Sequence, residues 1–443
     1  MPYLLNLVYF AAILLAAPYL VYQAIRTGKY REGFAAKFLG LLPHRTSPRT
    51  GVWLHAVSVG EVNLLAPLLA EIARQKPDWE CVISTTTRTG MALARKKYSA
   101  YSVFYCPLDF SWAVRTAMRR IRPKLLILVE LELWPNLVRA AREHGARVAV
   151  INGRLSAHSY DGYRRIHPLV ARLLQKIDLV AAQDTTYAER FLALGARPEA
   201  VQVTGSMKYD GAQTDRQNPA TQRLRTLARF APDDVVLLAG STQEPEEAIA
   251  LETYRALQPT WPTLRLVLVP RHPERFEAVA GLLDTSGLPW QRRTHLNEGQ
   301  AIADARILLV DVVGELGAWW GTAHIALVGG SLSNRGGQNM IEPAAYGAAV
   351  CFGPNTRNFR DIVATMLARD AAVVVHDADE FRRFVERCLR DRDYAAGLGQ
   401  RAKTLVTQQL GATARTLSLL AAVVEPAEKL PSPLPEGARG ASF

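Results

Sequence analysis

The sequence is poor in the residues that build metal or disulfide frameworks. Its four cysteines, Cys81, Cys106, Cys351 and Cys388, stand far apart in 443 residues. No CxxC pair or Cys/His cluster accompanies them. That excludes a structural zinc site and a disulfide scaffold, and leaves four packing residues of a reducing compartment. No GxGxxG follows the first β-rich run and no Walker A string occurs, so neither standard phosphate loop is available. No repeat of 20–50 residues is evident, which excludes a solenoid. No charged side chain occurs before Arg26.

What is present is ample material for packed cores. The chain is 49% hydrophobic and 21% charged, which excludes wholesale disorder. Its length suggests roughly two to three domains. The formal net charge of +12 is unevenly placed. Residues 1–210 carry 28 Lys+Arg against 15 Asp+Glu, and the remaining residues carry 25 against 26. The two halves are therefore expected to meet different partners. Nucleic acid is not one of them: the basic residues lack interleaved surface aromatics and any known binding motif.

The uncharged start is one long apolar stretch, Tyr3 to Ile25, close to the ~20 residues a helix needs to span a bilayer. A secretory signal would carry its basic residues first. Here Arg26, Lys29, Arg31 and Lys37 follow instead. The positive-inside rule then places the bulk of the chain in the cytoplasm. Residues 1–25 are thus expected to form a membrane-anchor helix. Asn6 and Pro18 leave open whether it spans or lies in one leaflet. The last residues, rich in Pro, Gly and Ser, predict a loose tail over 426–443.

Beyond the anchor, short β-rich runs alternate with helical patterns. Thirteen such runs occur, several of them bounded by Gly or Pro, from Val52–Val57 to Val373–His376. Continuous apolar runs of this kind fit strands buried on both faces of a parallel sheet. Their alternation with helices argues for βαβ units. Thirteen strands exceed one compact sheet, and Tyr209–Pro219 has linker composition. The expected architecture is α/β, with two Rossmann-like domains facing a cleft, one over 26–210 and one over 211–425. Ligands in such sheets sit outside the carboxyl ends of the strands.

Several strand ends carry chemistry. The first runs into His55-Ala-Val-Ser58-Val-Gly60-Glu61, placing Glu61 in a first helical turn, as a general base or merely as a cap. The run Leu125–Glu130 brings Glu130 and Glu132 to a strand end, two residues apart and so expected on one face, as functional acids or partners for an arginine. Lys208, between the halves, reads as an anion ligand or a solvated lysine. In the second half the turn Gly240-Ser-Thr-Gln243 suits a phosphate on backbone N–H groups. Arg271-His272 offers a bidentate phosphate ligand. Gly314-Glu315 follows another strand. Asn339 and Glu342 lie three apart at a helix start, where a carboxylate suits two ribose hydroxyls.

Taken in order, the strings HAVSVGE, ELWPN, NGRLS, GSMKYD, PRHPERF, GEL and GGSLSNRGG..N..EP resemble the 3-deoxy-D-manno-octulosonic acid (Kdo) transferases of lipopolysaccharide synthesis, from the start of the chain to about residue 420. The resemblance implies a GT-B fold with a membrane anchor on the cytoplasmic face of the inner membrane. It implies transfer of Kdo from CMP-Kdo to the tetraacylated lipid A precursor, with inversion, without cofactor or bound metal. It places the base on Glu61 and transition-state stabilisers on Glu130 and Lys208. It places CMP contacts on Arg271, His272, Val313, Gly314, Glu315, Asn339, Met340, Ile341 and Glu342. The family usually has His where Gln338 and Gln243 stand, and commonly Pro where Met340 stands. The basic first half is then read as facing an anionic membrane surface and a phosphorylated acceptor. The rival on the same scaffold is another nucleotide-sugar enzyme, such as an epimerase.

Overall fold

The computed structural model describes residues 2–27, 32–296, 302 and 304–425; the expected tail lies outside them. Two compact units emerge, one from residues 1–210 together with 410–443, the other from 211–409. The first holds a seven-stranded sheet made of β1 (Thr50–His55), β2 (Trp79–Thr85), β3 (Ser102–Tyr105), β4 (Leu125–Val129), β5 (Arg147–Gly153), β6 (Leu179–Ala182) and β7 (Val201–Val203), in the order β3-β2-β1-β4-β5-β6-β7. The second holds β8 (Val235–Thr242), β9 (Leu264–Pro270), β10 (Trp290–Arg292), β11 (Ile307–Leu309), β12 (Ile325–Val328), β13 (Ala349–Phe352) and β14 (Val373–Val374), in the order β10-β11-β9-β8-β12-β13-β14. Every pairing is parallel.

Parallel sheets need both faces covered, and the central strands show it. The five residues of β4, Leu-Leu-Ile-Leu-Val, are fully buried, as is every residue of β8. The chain order reverses between β1 and β4 in one sheet and between β8 and β12 in the other. A crevice opens at such a point outside the carboxyl ends of the strands. One strand, β10, has no counterpart among the expected runs. It is a three-residue edge strand, Trp-Gln-Arg, with no apolar run to betray it.

The carboxyl-terminal part departs from chain order. The second domain was expected to continue to residue 425, yet the helix Ala412–Val424 packs on the helix Val59–Gln75 of the first domain. The Asp210 carboxylate, at the exit from the first domain, accepts the N–H groups of Gly411 and Thr413 and so caps the returning helix.

The apolar start forms a helix, Pro2–Thr27. Among the described residues, however, no helix is long and apolar enough to cross a membrane, so the spanning reading is not carried forward. Two polar residues near the start of this helix serve docking. The Asn6 carboxamide is buried, donating to Ser111 Oγ at 2.8 Å and accepting the Ser111 N–H at 3.0 Å. The Tyr9 hydroxyl donates to Asp109 at 3.1 Å. Farther along, Leu14, Leu15, Tyr19, Val21, Tyr22 and Ile25 are exposed. All four cysteines are free and buried, and burial pushes the thiols of Cys81 and Cys388 up to about 12.

Candidate functional site

The turn after β1 builds the first cluster. Ser58 caps the helix Val59–Gln75 and forms a capping box with Glu61. The Glu61 carboxylate accepts the Val57 N–H at 2.8 Å on Oε2. On Oε1 it accepts the Ser58 hydroxyl at 2.7 Å and the Ser58 N–H at 3.3 Å. A carboxylate offers about four lone-pair positions. Oε1 is filled and Oε2 keeps one open. Burial pushes the Glu61 carboxyl above its usual range, against the Ser58 and Val57 hydrogen bonds, and the nearby Glu130 charge pushes the same way. Glu61 is therefore a cap and an elevated carboxylate at once.

Glu130 follows β4 with φ 59°, in the left-handed region that non-glycine residues enter at a cost of order 1–3 kcal/mol. β4 ends at Val129, so the expectation that strand alternation puts Glu130 and Glu132 on one face does not hold. They nevertheless share a field. The Glu132 carboxyl is raised by burial first, then by Glu61; the Trp134 indole hydrogen bond opposes, and Glu130 adds to the rise. Of these acids Glu130 is paired with a lysine: Lys208 Nζ lies 3.2 Å from Glu130 Oε1. Lys208 is thus neither a solvated lysine nor, in this state, an anion ligand for anything but Glu130.

Asn152 was not expected as a site residue. At the end of β5 its φ is 51°, and its Oδ1 accepts the Met207 N–H at 3.0 Å. That bond fixes the turn that delivers Lys208. The signal was available in the sequence as an Asn-Gly pair at a strand end, the residue type that tolerates left-handed backbone.

His55, inside the same motif, is a core histidine. It is fully buried, and its Nδ1 meets Ser84 Oγ at 2.9 Å. Burial holds its imidazole down to about 4. The unfolded chain takes up this proton near pH 6.5, so folding is progressively penalised as pH falls from there toward 4. Asp109, pushed up to about 6 by burial, works in the opposite sense over the lower part of that window. We expect His55→Asn to remove about 2 kcal/mol of the stability change between pH 7 and pH 5. Urea midpoints of both proteins at the two pH values measure it; parallel profiles would contradict it.

In the second domain the turn after β8 corrects an expectation. One N–H of that turn, of Gln243, is already taken by a carboxylate. The fully buried Glu246 carboxylate takes the N–H groups of Gln243 at 2.9 Å, Gly330 at 2.7 Å, and Ser331 and Leu332 at 2.9 Å each. It bridges the ends of β8 and β12 across the point where strand order reverses. Beside it, the would-be Cβ of Gly330 would meet Gln338 Nε2 at 3.3 Å and Gln243 Nε2 at 3.5 Å. The two positions where the resembling family has His are therefore neighbours here.

Asn339 Nδ2 donates to Glu342 Oε1 at 3.0 Å. Burial raises the Glu342 carboxyl, and the Asn339 bond and the Arg271 charge oppose that rise, so Arg271, Asn339 and Glu342 form one group. The side chains of Met340 and Ile341 are buried, so these two residues can present only backbone to a ligand. The same holds in part for Glu315, whose carboxylate is held by Arg293 at 2.7 and 2.8 Å and by the Trp319 indole at 3.2 Å. Val313 is exposed and Gly314 has φ 97°, leaving their backbone open. His272 is exposed at the turn after β9.

A family model described as 3-deoxy-D-manno-octulosonic-acid transferase (kdotransferase) matches residues 29–211. A 3-deoxy-D-manno-octulosonic acid transferase of Haemophilus influenzae is 34% identical over 405 residues, covering 91% of this chain and 94% of that protein. One from Bordetella pertussis is 33% identical over 410 residues, 90% of this chain and 94% of its own. Among solved structures, a putative UDP-N-acetylglucosamine 2-epimerase of Listeria monocytogenes superposes with a TM-score of 0.52 at 12% identity, covering 86% of this chain and 98% of that one. At that identity the likeness concerns the fold alone.

Proposed function

The chain belongs to the 3-deoxy-D-manno-octulosonic acid transferase family, and from that premise we propose that it moves Kdo from CMP-Kdo to the tetraacylated lipid A precursor, with inversion and with Glu61 as base. The observation that carries the mechanism is the open lone-pair position on Glu61 Oε2, on a carboxylate whose proton affinity burial has raised. A base is most effective when its affinity approaches the working pH. In this reading the acceptor hydroxyl gives its proton to Oε2 as its oxygen bonds to the anomeric carbon of Kdo. The bond from that carbon to the CMP phosphate oxygen breaks, and its electron pair leaves with CMP. Glu130 and Lys208 stabilise the charge that develops, and Arg271 balances the departing phosphate. Asn339 and Glu342 receive the ribose, while Val313, Gly314, Glu315, Met340 and Ile341 contribute backbone and His272 lies at the edge. Incubation of the full chain with CMP-Kdo and the lipid precursor, followed by mass spectrometry, tests the reaction. A product heavier by one or more Kdo units supports it; release of CMP without a heavier lipid would favour hydrolysis or epimer chemistry.

The same reading places the helix Pro2–Thr27 in the interface of the inner membrane, with the two domains on the cytoplasmic side. Its support is the row of exposed apolar side chains from Leu14 to Ile25 and the basic excess of residues 1–210. We expect Leu14→Glu with Leu15→Glu to release the chain from phosphatidylglycerol vesicles in flotation. Unchanged flotation would overturn the placement.

A further inference from the structure

A cavity of about 430 Å³ lies in the second domain, away from the turns described above. Its lining includes Arg216, Arg225, Arg392 and His324, and no carboxylate. His324 immediately precedes β12, and Val236 of β8 donates its N–H to His324 Nδ1 at 3.0 Å. The cavity therefore sits at the amino ends of the strands, whereas Gln243, Arg271 and Asn339 follow the carboxyl ends.

Among the described residues the three guanidiniums form no ion pair within 4 Å. Arg216 donates only to backbone carbonyls, of Tyr346 at 2.8 Å, Gly321 at 3.0 Å and Ala323 at 2.6 Å. Five N–H donors leave it two to spare. Arg225 donates to the Ala231 carbonyl at 3.1 Å. Arg392 opens the helix Arg392–Gln409, where the helix dipole disfavours a cation. The acid nearest in field, Asp234, is already paired with Arg265 at 2.9 Å and Arg306 at 3.1 Å. Asp391 and Asp393 flank Arg392 in sequence but do not line the cavity. Because His324 Nδ1 accepts, its neutral ring carries the proton on Nε2 and is a further donor. Like charges gathered around a concave space without a counter-charge call for an anion, and arginine forks match phosphate oxygens bidentately.

We propose that this cavity is a second anion site, independent of the reaction proposed above, and that it takes the phosphate group of a small phosphorylated molecule. Its volume lies within the range of small-molecule pockets and exceeds the needs of a bare phosphate ion. Occupation would also relieve His324. Its imidazole is held down to about 4 by burial first, then by Arg216, Arg225 and Arg392, against Asp234.

The test is calorimetric titration of the full chain with inorganic phosphate, with saturating CMP present to fill any nucleotide site. Saturable binding is expected, weakened roughly tenfold for each arginine lost in Arg225→Gln and Arg392→Gln. Arg392 is exposed at a helix start, so its variant keeps the fold even where Arg225→Gln does not. Phosphate should also move the His324 ring signals in NMR toward the protonated position, identified by their loss in His324→Gln. Phosphatidylglycerol vesicles that displace phosphate would transfer the site to a lipid headgroup and overturn the small-molecule assignment. Absence of saturable binding, equal affinity in Arg392→Gln, or an unmoved His324 signal would overturn the site itself.

Discussion

Glu61→Gln should lower kcat about 10²–10⁴-fold and leave the fold intact. The two halves of that expectation come from different atoms. The carboxylate caps its helix through both oxygens; glutamine keeps the two Ser58 bonds on its amide oxygen and turns its NH₂ toward the Val57 N–H, a loss of about 1–3 kcal/mol. What glutamine cannot do is take a proton at the open position. Steady-state rates with CMP-Kdo, beside a thermal melt, separate the roles. A melt lowered by no more than the degrees that correspond to about 1–3 kcal/mol, with turnover gone, assigns the proton to Glu61. Retained turnover with an intact melt would remove it from the chemistry. Loss of both would return it to the cap alone.

Glu246→Gln should have the largest effect on stability, about 3–5 kcal/mol, or a fall in Tm of roughly 10 °C for the second domain. Four backbone N–H groups converge on this carboxylate from two turns. An amide presents an NH₂ to donors where the carboxylate presents an acceptor, and unsatisfied buried donors cost about 1–3 kcal/mol each. Burial raises the carboxyl of Glu246 while those N–H bonds pull it back. Because Gly330 lies between this carboxylate and the pair Gln243 and Gln338, CMP binding should fall together with stability. A variant with wild-type Tm would show that the loop Gly329–Ser331 holds its shape without the bridge.

Much of this was legible in the sequence. Continuous apolar runs such as Leu125–Val129 announced strands buried on both faces, and their alternation with helices announced parallel sheets. What escaped was set by contacts distant in the chain. Ala412–Val424 reads as one more helix of the second domain until Asp210, about two hundred residues earlier, is seen to cap it. The turn at Gln243 has the composition of a phosphate loop, and only the fold shows that Glu246 takes its Gln243 N–H and ties it to the turn after β12. Asn6 looks like a flaw in a membrane span, and its bonds to Ser111 explain it. Glu130 was singled out by type and position, but its left-handed backbone and its pairing with Lys208 depend on Asn152 and the neighbouring strand.

The most direct test of a one-base displacement is the anomeric configuration of the transferred sugar. Two-dimensional NMR of the isolated glycolipid, formed from CMP-Kdo by the full chain, reads it. A single attack assisted by Glu61 yields the configuration opposite to that of the donor. Retention would require a covalent glycosyl intermediate on a second carboxylate, such as Glu130 or Glu132, and would contradict the assignment of Glu61 as the sole base.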